Sequence, residues 1–331
     1  MQCVKQMDSL GQLKQLLRDD SLEVKENVQN LWSGYGQIVR IHSKKQQQQY
    51  VVKIVAPPAN TSHPRGWNTA TGHQRKLLSY QVESAFYQHY ACHTDKKCRV
   101  PKLIARFTHD NKTLLVLEDL DESGFFVRQE AGNKENLTIA LDWLANFHAS
   151  FLHTNADQLW PIGTYWHLGT RKDEWQKMAS SQFKTHAREI ETALNNATFQ
   201  TLVHGDAKFA NLCFHHDAKS LAAVDFQYVG LGSPVKDIMY LVGSGLESEA
   251  LYSLENFVLD TYLAKLKLAI NHHDPRFSSW HALEEEIHML YPVAWADFYR
   301  FLMGWNPDSW KVCPYMEEKA EEGLSYVKHK Q

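Results

Sequence analysis

The segment Leu202-Val203-His204-Gly205-Asp206-Ala207-Lys208-Phe209-Ala210-Asn211-Leu212 carries the clearest chemistry in the chain. An apolar strand runs into a loop that holds a carboxylate at Asp206 and, five residues later, a carboxamide at Asn211. A polar turn follows, and the apolar run Leu221-Ala222-Ala223-Val224 delivers a second carboxylate, Asp225, at its end. Two oxygen-bearing side chains, Asn211 and Asp225, thus arrive on adjacent elements, a donor set that suits a hard cation such as Mg²⁺. Asp206 is left to orient a hydroxyl nucleophile. That division of labour is what phosphoryl transfer needs. An ordinary β-hairpin with polar turns could contain the same residues, but spacing and residue types together speak against it.

With Asp225-Phe226-Gln227 after it, the His-Gly-Asp-x-x-x-x-Asn loop resembles the catalytic and metal-binding loops of the aminoglycoside phosphotransferase and choline kinase superfamily. The form Val224-Asp225-Phe226-Gln227 looks closest to the ecdysteroid-kinase-like family, as does Ser79-Tyr80-Gln81-Val82-Glu83-Ser84-Ala85-Phe86-Tyr87. The resemblance runs from about Leu31 to about Leu246. It implies an α+β, protein-kinase-like fold of two lobes, with ATP and Mg²⁺ as cofactors. It makes Asp206 the catalytic base and Asn211 and Asp225 the metal ligands.

The N-terminal part offers what that reading demands. Tyr50-Val51-Val52-Lys53-Ile54-Val55 places one lysine in an apolar strand, where a charge is costly unless paired. Glu83 is the candidate partner. The resemblance then has Lys53 hold the α/β-phosphates and Glu83 orient Lys53. Gly34 and Gly36, in Ser33-Gly34-Tyr35-Gly36, would let backbone amides approach phosphates. Leu114 to Leu120 resembles the family hinge, whose backbone groups around Glu118 to Leu120 would bond the adenine. Asp237 matches the position that braces the catalytic loop, and Ser233 could cap its helix. His148 reads as core packing or a buried hydrogen bond, and His204 as scaffold for the loop.

These residues need elements to carry them. Residues 10–31 read as a helix and then a strand, and Lys44 to Gln49 as a polar hairpin tip between two strands. Pro57 to Gly72 reads as loop. Lys76 to Ala91 has helical spacing, and two strands should flank Asp110-Asn111. Helical spacing dominates from Leu137 onward. The expected lobes are therefore 1–118, nucleotide-binding, and 119–331, catalytic and acceptor-binding.

Asp237 lies only twelve positions after Asp225, and no Ala-Pro-Glu follows. A platform for a peptide substrate is not expected, so a small-molecule hydroxyl is the better acceptor. Aromatic residues cluster at Trp160, Tyr165, Trp166 and Trp175, and again at Tyr291, Trp295, Phe298, Tyr299, Phe301, Trp305 and Trp310. Helical spacing favours core for the second set. Trp295, Tyr299 and Trp305 could otherwise wall a pocket for a neutral or weakly polar alcohol with an apolar body. A cage for choline is the rival. Glu284 to Glu286 and Glu317-Glu318 read as solvated faces.

A formal charge of −3 over 331 residues gives no broad footprint for nucleic acid or an anionic membrane. No stretch is apolar for long enough to span a bilayer, and the start lacks the pattern of a signal peptide. Five cysteines without a CxxC pair indicate neither a disulfide framework nor a zinc site, and suit a reducing cytoplasm. The other readings are a choline- or aminoglycoside-type kinase and a nucleotide-binding pseudokinase that acts as an interaction module.

Overall fold

The computed structural model describes residues 2–31, 34–57, 70–109 and 112–330. Ser33, the Asp110-Asn111 turn and most of the expected loop from Pro57 lie outside them. The chain divides into two compact units, Met1–Cys92 with Val100–Phe126, and His93–Arg99 with Val127–Gln331. It is α+β, with a β-sheet N-terminal part and a helical C-terminal part.

The first unit contains α1 (Gln2–Leu17), β1 (Leu22–Asn30), β2 (Gly36–Ser43), β3 (Gln48–Val55), α2 (Ala70–His89), β4 (Leu103–His109) and β5 (Lys112–Glu118). The strands form one antiparallel sheet in the order β1-β2-β3-β5-β4. Pairing of β2 with β3 runs from Gly36 opposite Val55 to Ser43 opposite Gln48, which leaves residues 44–47 as the polar tip. The period of two along β3 sorts its side chains. Tyr50, Val52 and Ile54 join Val39, Ile41, Leu114 and Val116 in a core that Leu13 of α1 completes. Val55 packs instead with Leu31, Tyr35 and Tyr80, the last from α2. Lys53 shares that second face, which is why a lysine in so apolar a strand can meet a helix.

The second unit contains β6 (Val127–Arg128), α3 (Lys134–Ser150), α4 (Lys172–Lys177), α5 (Gln182–Thr185), α6 (Ala187–Asn195), β7 (Thr201–Val203), β8 (Leu212–Phe214), β9 (Leu221–Ala223), β10 (Gly230–Gly232), α7 (Val235–Gly245), α8 (Ser248–His273), α9 (Trp280–Trp305) and α10 (Pro314–His329). Two short antiparallel sheets, β10-β7 and β6-β8-β9, sit among the helices. A reciprocal capping box of Asn133 and Asn136 starts α3, satisfying amides that a helix start leaves open. Helix α3 packs along α8, and α9 along α10.

Helix α9 buries Tyr291, Trp295, Phe298 and Phe301. Trp295 is fully enclosed and meets the edge of Tyr315 at 5.3 Å, so it belongs to the core and cannot wall a pocket. Among the described residues no helix is long and apolar enough to cross a membrane.

Candidate active site

The loop from β7 to β8 is shaped by three devices. Gly205 sits at φ +79°, and a Cβ there would lie 2.1 Å from the Tyr228 carbonyl oxygen, so only glycine fits. His204 places Nε2 3.0 Å from the Val224 carbonyl and accepts the Asp206 amide on Nδ1 at 3.3 Å. That pattern sets the tautomer with the proton on Nε2. Asp237, in the first turn of α7, accepts the amides of His204 at 2.6 Å and Gly205 at 3.0 Å. Its Oδ2 also lies 3.2 Å from His148 Nε2, and His148 Nδ1 lies 2.8 Å from the Tyr262 hydroxyl. All of these groups are buried. The N-cap of α7 is Pro234 with no side-chain cap bond, so Ser233 does not cap it as the sequence suggested.

The loop presents Asp206 with a defined set of neighbours. Its Oδ2 accepts Lys208 Nζ at 3.0 Å and Asn211 Nδ2 at 3.1 Å. Asn211 Nδ2 also bonds the Asp206 carbonyl at 2.9 Å. Both bonds use the amide nitrogen, and Oδ1 of Asn211 takes part in neither. The Val224 amide bonds the Asn211 carbonyl at 2.9 Å, tying the end of β9 to the loop. Asp225 follows at φ +68°. A non-glycine residue held there costs on the order of 1–3 kcal/mol and marks functional sites. Gln227 donates its side-chain amide to Asp225 Oδ1. Burial pulls the Lys208 ammonium down, but Asp206 and then Asp225 outweigh it and leave its pKa above the ordinary value. One ammonium thus feels both carboxylates.

In the first unit, Lys53 Nζ and Glu83 Oε2 form a buried ion pair at 2.7 Å, with Lys53 5.6 Å from the centre of the Tyr80 ring. The two glycines serve the turn itself. A Cβ on Gly36 would lie 1.9 Å from the Ile54 oxygen, and the Gly34 amide points to the Leu31 carbonyl at 3.3 Å. At the end of β5 the Glu118 carboxylate accepts the Lys102 amide at 3.1 Å and the Ser123 hydroxyl at 2.6 Å. The Glu118 amide donates to the Lys102 carbonyl, and the Leu120 carbonyl accepts from Ser123 and Phe125. These groups are engaged within their own turn. Asp119 beside them is buried against Arg40 at 2.5 Å.

Aromatic side chains frame Asp206 in the second unit. The Tyr165 hydroxyl donates to that of Tyr240 at 3.1 Å. Burial, and after it the Asp206 charge, raises the pKa of both phenols. Trp160 bonds the Gln227 carbonyl at 2.7 Å and stacks on Tyr228, fixing the segment after Asp225. Lys311 lies 4.9 Å from the centre of Tyr240, and Arg171 lies 5.6 Å from that of Tyr165. Burial lowers the Lys311 pKa to about 8, Asp206 opposing and Lys208 adding to the shift.

The sequence pattern of the Ecdysteroid kinase-like family matches residues 36–158 and 161–274. The chain belongs to that family. It is therefore a member of a kinase-like phosphotransferase family. No curated protein sequence matches it. Similar solved structures include a Ralstonia eutropha protein described as an aminoglycoside phosphotransferase, with 13% identity, TM-score 0.46, and 93% of each chain covered. A Plasmodium vivax ethanolamine kinase gives 11% identity and TM-score 0.47, over 94% of this chain and 81% of that one. A type VIII aminoglycoside-3'-phosphotransferase gives 13% identity and TM-score 0.44, over 85% of this chain and 98% of that one.

In this ecdysteroid kinase-like chain the donor set suits one divalent cation held jointly with a ligand. Among the described residues no group of three or more His, Cys, Asp or Glu side chains could hold a metal alone. One carboxylate and one amide oxygen match the way Mg²⁺ binds, through one or two protein oxygens plus substrate phosphates. Sequence reasoning missed Lys208, although it lies inside the loop motif; a lysine two residues after the aspartate was the available signal. It also missed Lys311, Tyr240 and Arg171, which no local pattern connects to Asp206.

Proposed function

We propose that the chain transfers the γ-phosphoryl group of ATP to a hydroxyl of a small molecule. The observation that carries this reading is the braced loop: Asp206 and Asn211 bonded to each other, with Asp225 beside them in left-handed backbone. Asp206 accepts the proton of the attacking hydroxyl and aligns its oxygen. Asn211 and Asp225 would hold Mg²⁺, which would supply charge neutralisation on the phosphates when bound. Lys208 offers a second positive charge at the same place. Lys53, oriented by Glu83, takes phosphate oxygens of the nucleotide. We assign residues 1–118 to nucleotide binding, with Gly34, Gly36 and the backbone around Glu118 and Leu120 as its further contacts. Residues 119–331 are assigned to catalysis and acceptor binding.

The test is ATP consumption by the purified chain over a panel of small hydroxyl compounds, with phosphorylated product identified by mass. Nucleotide binding without turnover on any compound would make the chain a pseudokinase. A second result is expected from the metal. Asp225→Ala should abolish the tightening of ATP binding by Mg²⁺, seen by calorimetry with and without the ion. An undiminished Mg²⁺ effect in that variant removes Asp225 from the metal site.

A further inference from the structure

We propose that Lys311 is the acceptor-binding residue of this site, and that it selects hydroxyl compounds presenting an oxygen acceptor, neutral or anionic, over cationic amino alcohols. The proposal rests on the phosphotransfer reading for the word acceptor.

The first ground is the state of Lys311 itself. Its Nζ lies 4.9 Å from the centre of Tyr240, 5.7 Å from that of Phe298 and 5.9 Å from that of Trp310. Among the described residues its Nζ forms no hydrogen bond and no ion pair, while the Lys311 backbone amide donates to the Ser309 hydroxyl at 3.4 Å. Its side chain is half-buried. An ammonium framed by rings and lacking an oxygen partner is a donor waiting for one.

The second ground is who already occupies the aromatic faces. Lys311 covers Tyr240 and Phe298. The Arg171 guanidinium lies 5.1 Å from the centre of Phe301 and 5.6 Å from that of Tyr165. It is fixed there by the Tyr165 carbonyl at 2.6 Å and Glu174 at 2.8 Å. An external ammonium would have to displace these cations or sit beside them. The carboxylate that acts on Lys311, Asp206, is already paired with Lys208, and Glu174 is paired with Arg171. The frame is an aromatic cage whose cations are built in. It therefore repels a cationic ligand and attracts an oxygen.

The charge of Lys311 is also poised. Burial holds its pKa at about 8, so it is largely protonated at neutral pH and loses its proton on modest alkalinisation. The titratable groups facing it are Asp206 and Lys208 from the catalytic loop and Tyr240 from α7, while α9 presents Phe298 and its own segment presents Trp310. Binding of an anion at Lys311 should weaken as pH rises through about 8.

The test uses three aromatic alcohols that differ mainly in charge: 3-phenyllactate, 3-phenylpropane-1,2-diol and phenylalaninol. Their binding to the full chain is measured by calorimetry without ATP. The expected order is phenyllactate, then the diol, then phenylalaninol. Lys311→Met should weaken phenyllactate about tenfold, about 1.4 kcal/mol, and leave the diol within a few-fold. Lys311→Arg should restore phenyllactate binding, and Lys311→Glu should place phenylalaninol first. Equal loss of all three ligands in Lys311→Met, tightest binding of phenylalaninol by the unaltered chain, or no binding of any of them overturns the proposal. A chain that binds in the expected order but never consumes ATP keeps the selective site and removes only the phosphotransfer reading.

Discussion

Asp206→Asn should lower phosphoryl transfer by about 10²–10⁴-fold, the range of general acid–base effects, while leaving the fold and ATP binding near those of the unaltered chain. The substitution is close to isosteric. Its remaining oxygen can still accept from Lys208 and Asn211, which now donate at 3.0 and 3.1 Å. What it loses is the negative charge. A neutral amide cannot take the hydroxyl proton, and Lys208 loses the carboxylate that outweighs its burial. The Lys208 pKa should therefore fall. Turnover at saturating ATP, with the Kd for ATP measured separately, separates chemistry from binding. Near-normal turnover by the variant, on a compound the unaltered chain phosphorylates, would falsify the base assignment.

The site was legible in the sequence where chemistry is local. Asp206, Asn211 and Asp225 sit at ends of short apolar runs, and a strand end followed by a loop is a pattern that hydrophobicity alone reveals. The Lys53 partner was found because a charge in an apolar strand demands one, and Glu83 lay on the next helix. Trp295 was misread as a possible pocket wall because helical spacing shows which side chains share a stripe, not which point of the stripe is enclosed. The left-handed backbone at Asp225 was not read from the sequence, since Asp tolerates that region but adopts it only occasionally. The hairpin around Gly36 was anticipated, but the reason for the glycine was not. Contact with the Ile54 oxygen excludes a Cβ there. Lys311 and Arg171 reach the aromatic frame from distant segments, and only tertiary structure brings them there.

Asp237→Ala should be the most destabilising change in the second unit's polar core. The carboxylate is fully buried and receives the His204 and Gly205 amides, with the His148 ring beside them. Removing it strands two buried amides, each costing about 1–3 kcal/mol, so a total loss of about 3–5 kcal/mol is expected. Asp237→Asn should be only partly better. Its one oxygen can accept one amide, but its nitrogen then faces the other donor. The consequence for chemistry follows from the same bonds. Asp237 holds the two residues that directly precede Asp206, so the loop that aims the base loosens before the helix does. Activity should accordingly fall at temperatures where the variant is still folded, with ATP binding at Lys53 changed much less. Urea unfolding followed by circular dichroism measures the first effect. Amide exchange at Gly205 and Asp206 measures the second. A variant that keeps both its stability and its slow exchange at those amides would show that the loop is held by His204 and the Gly205 turn alone.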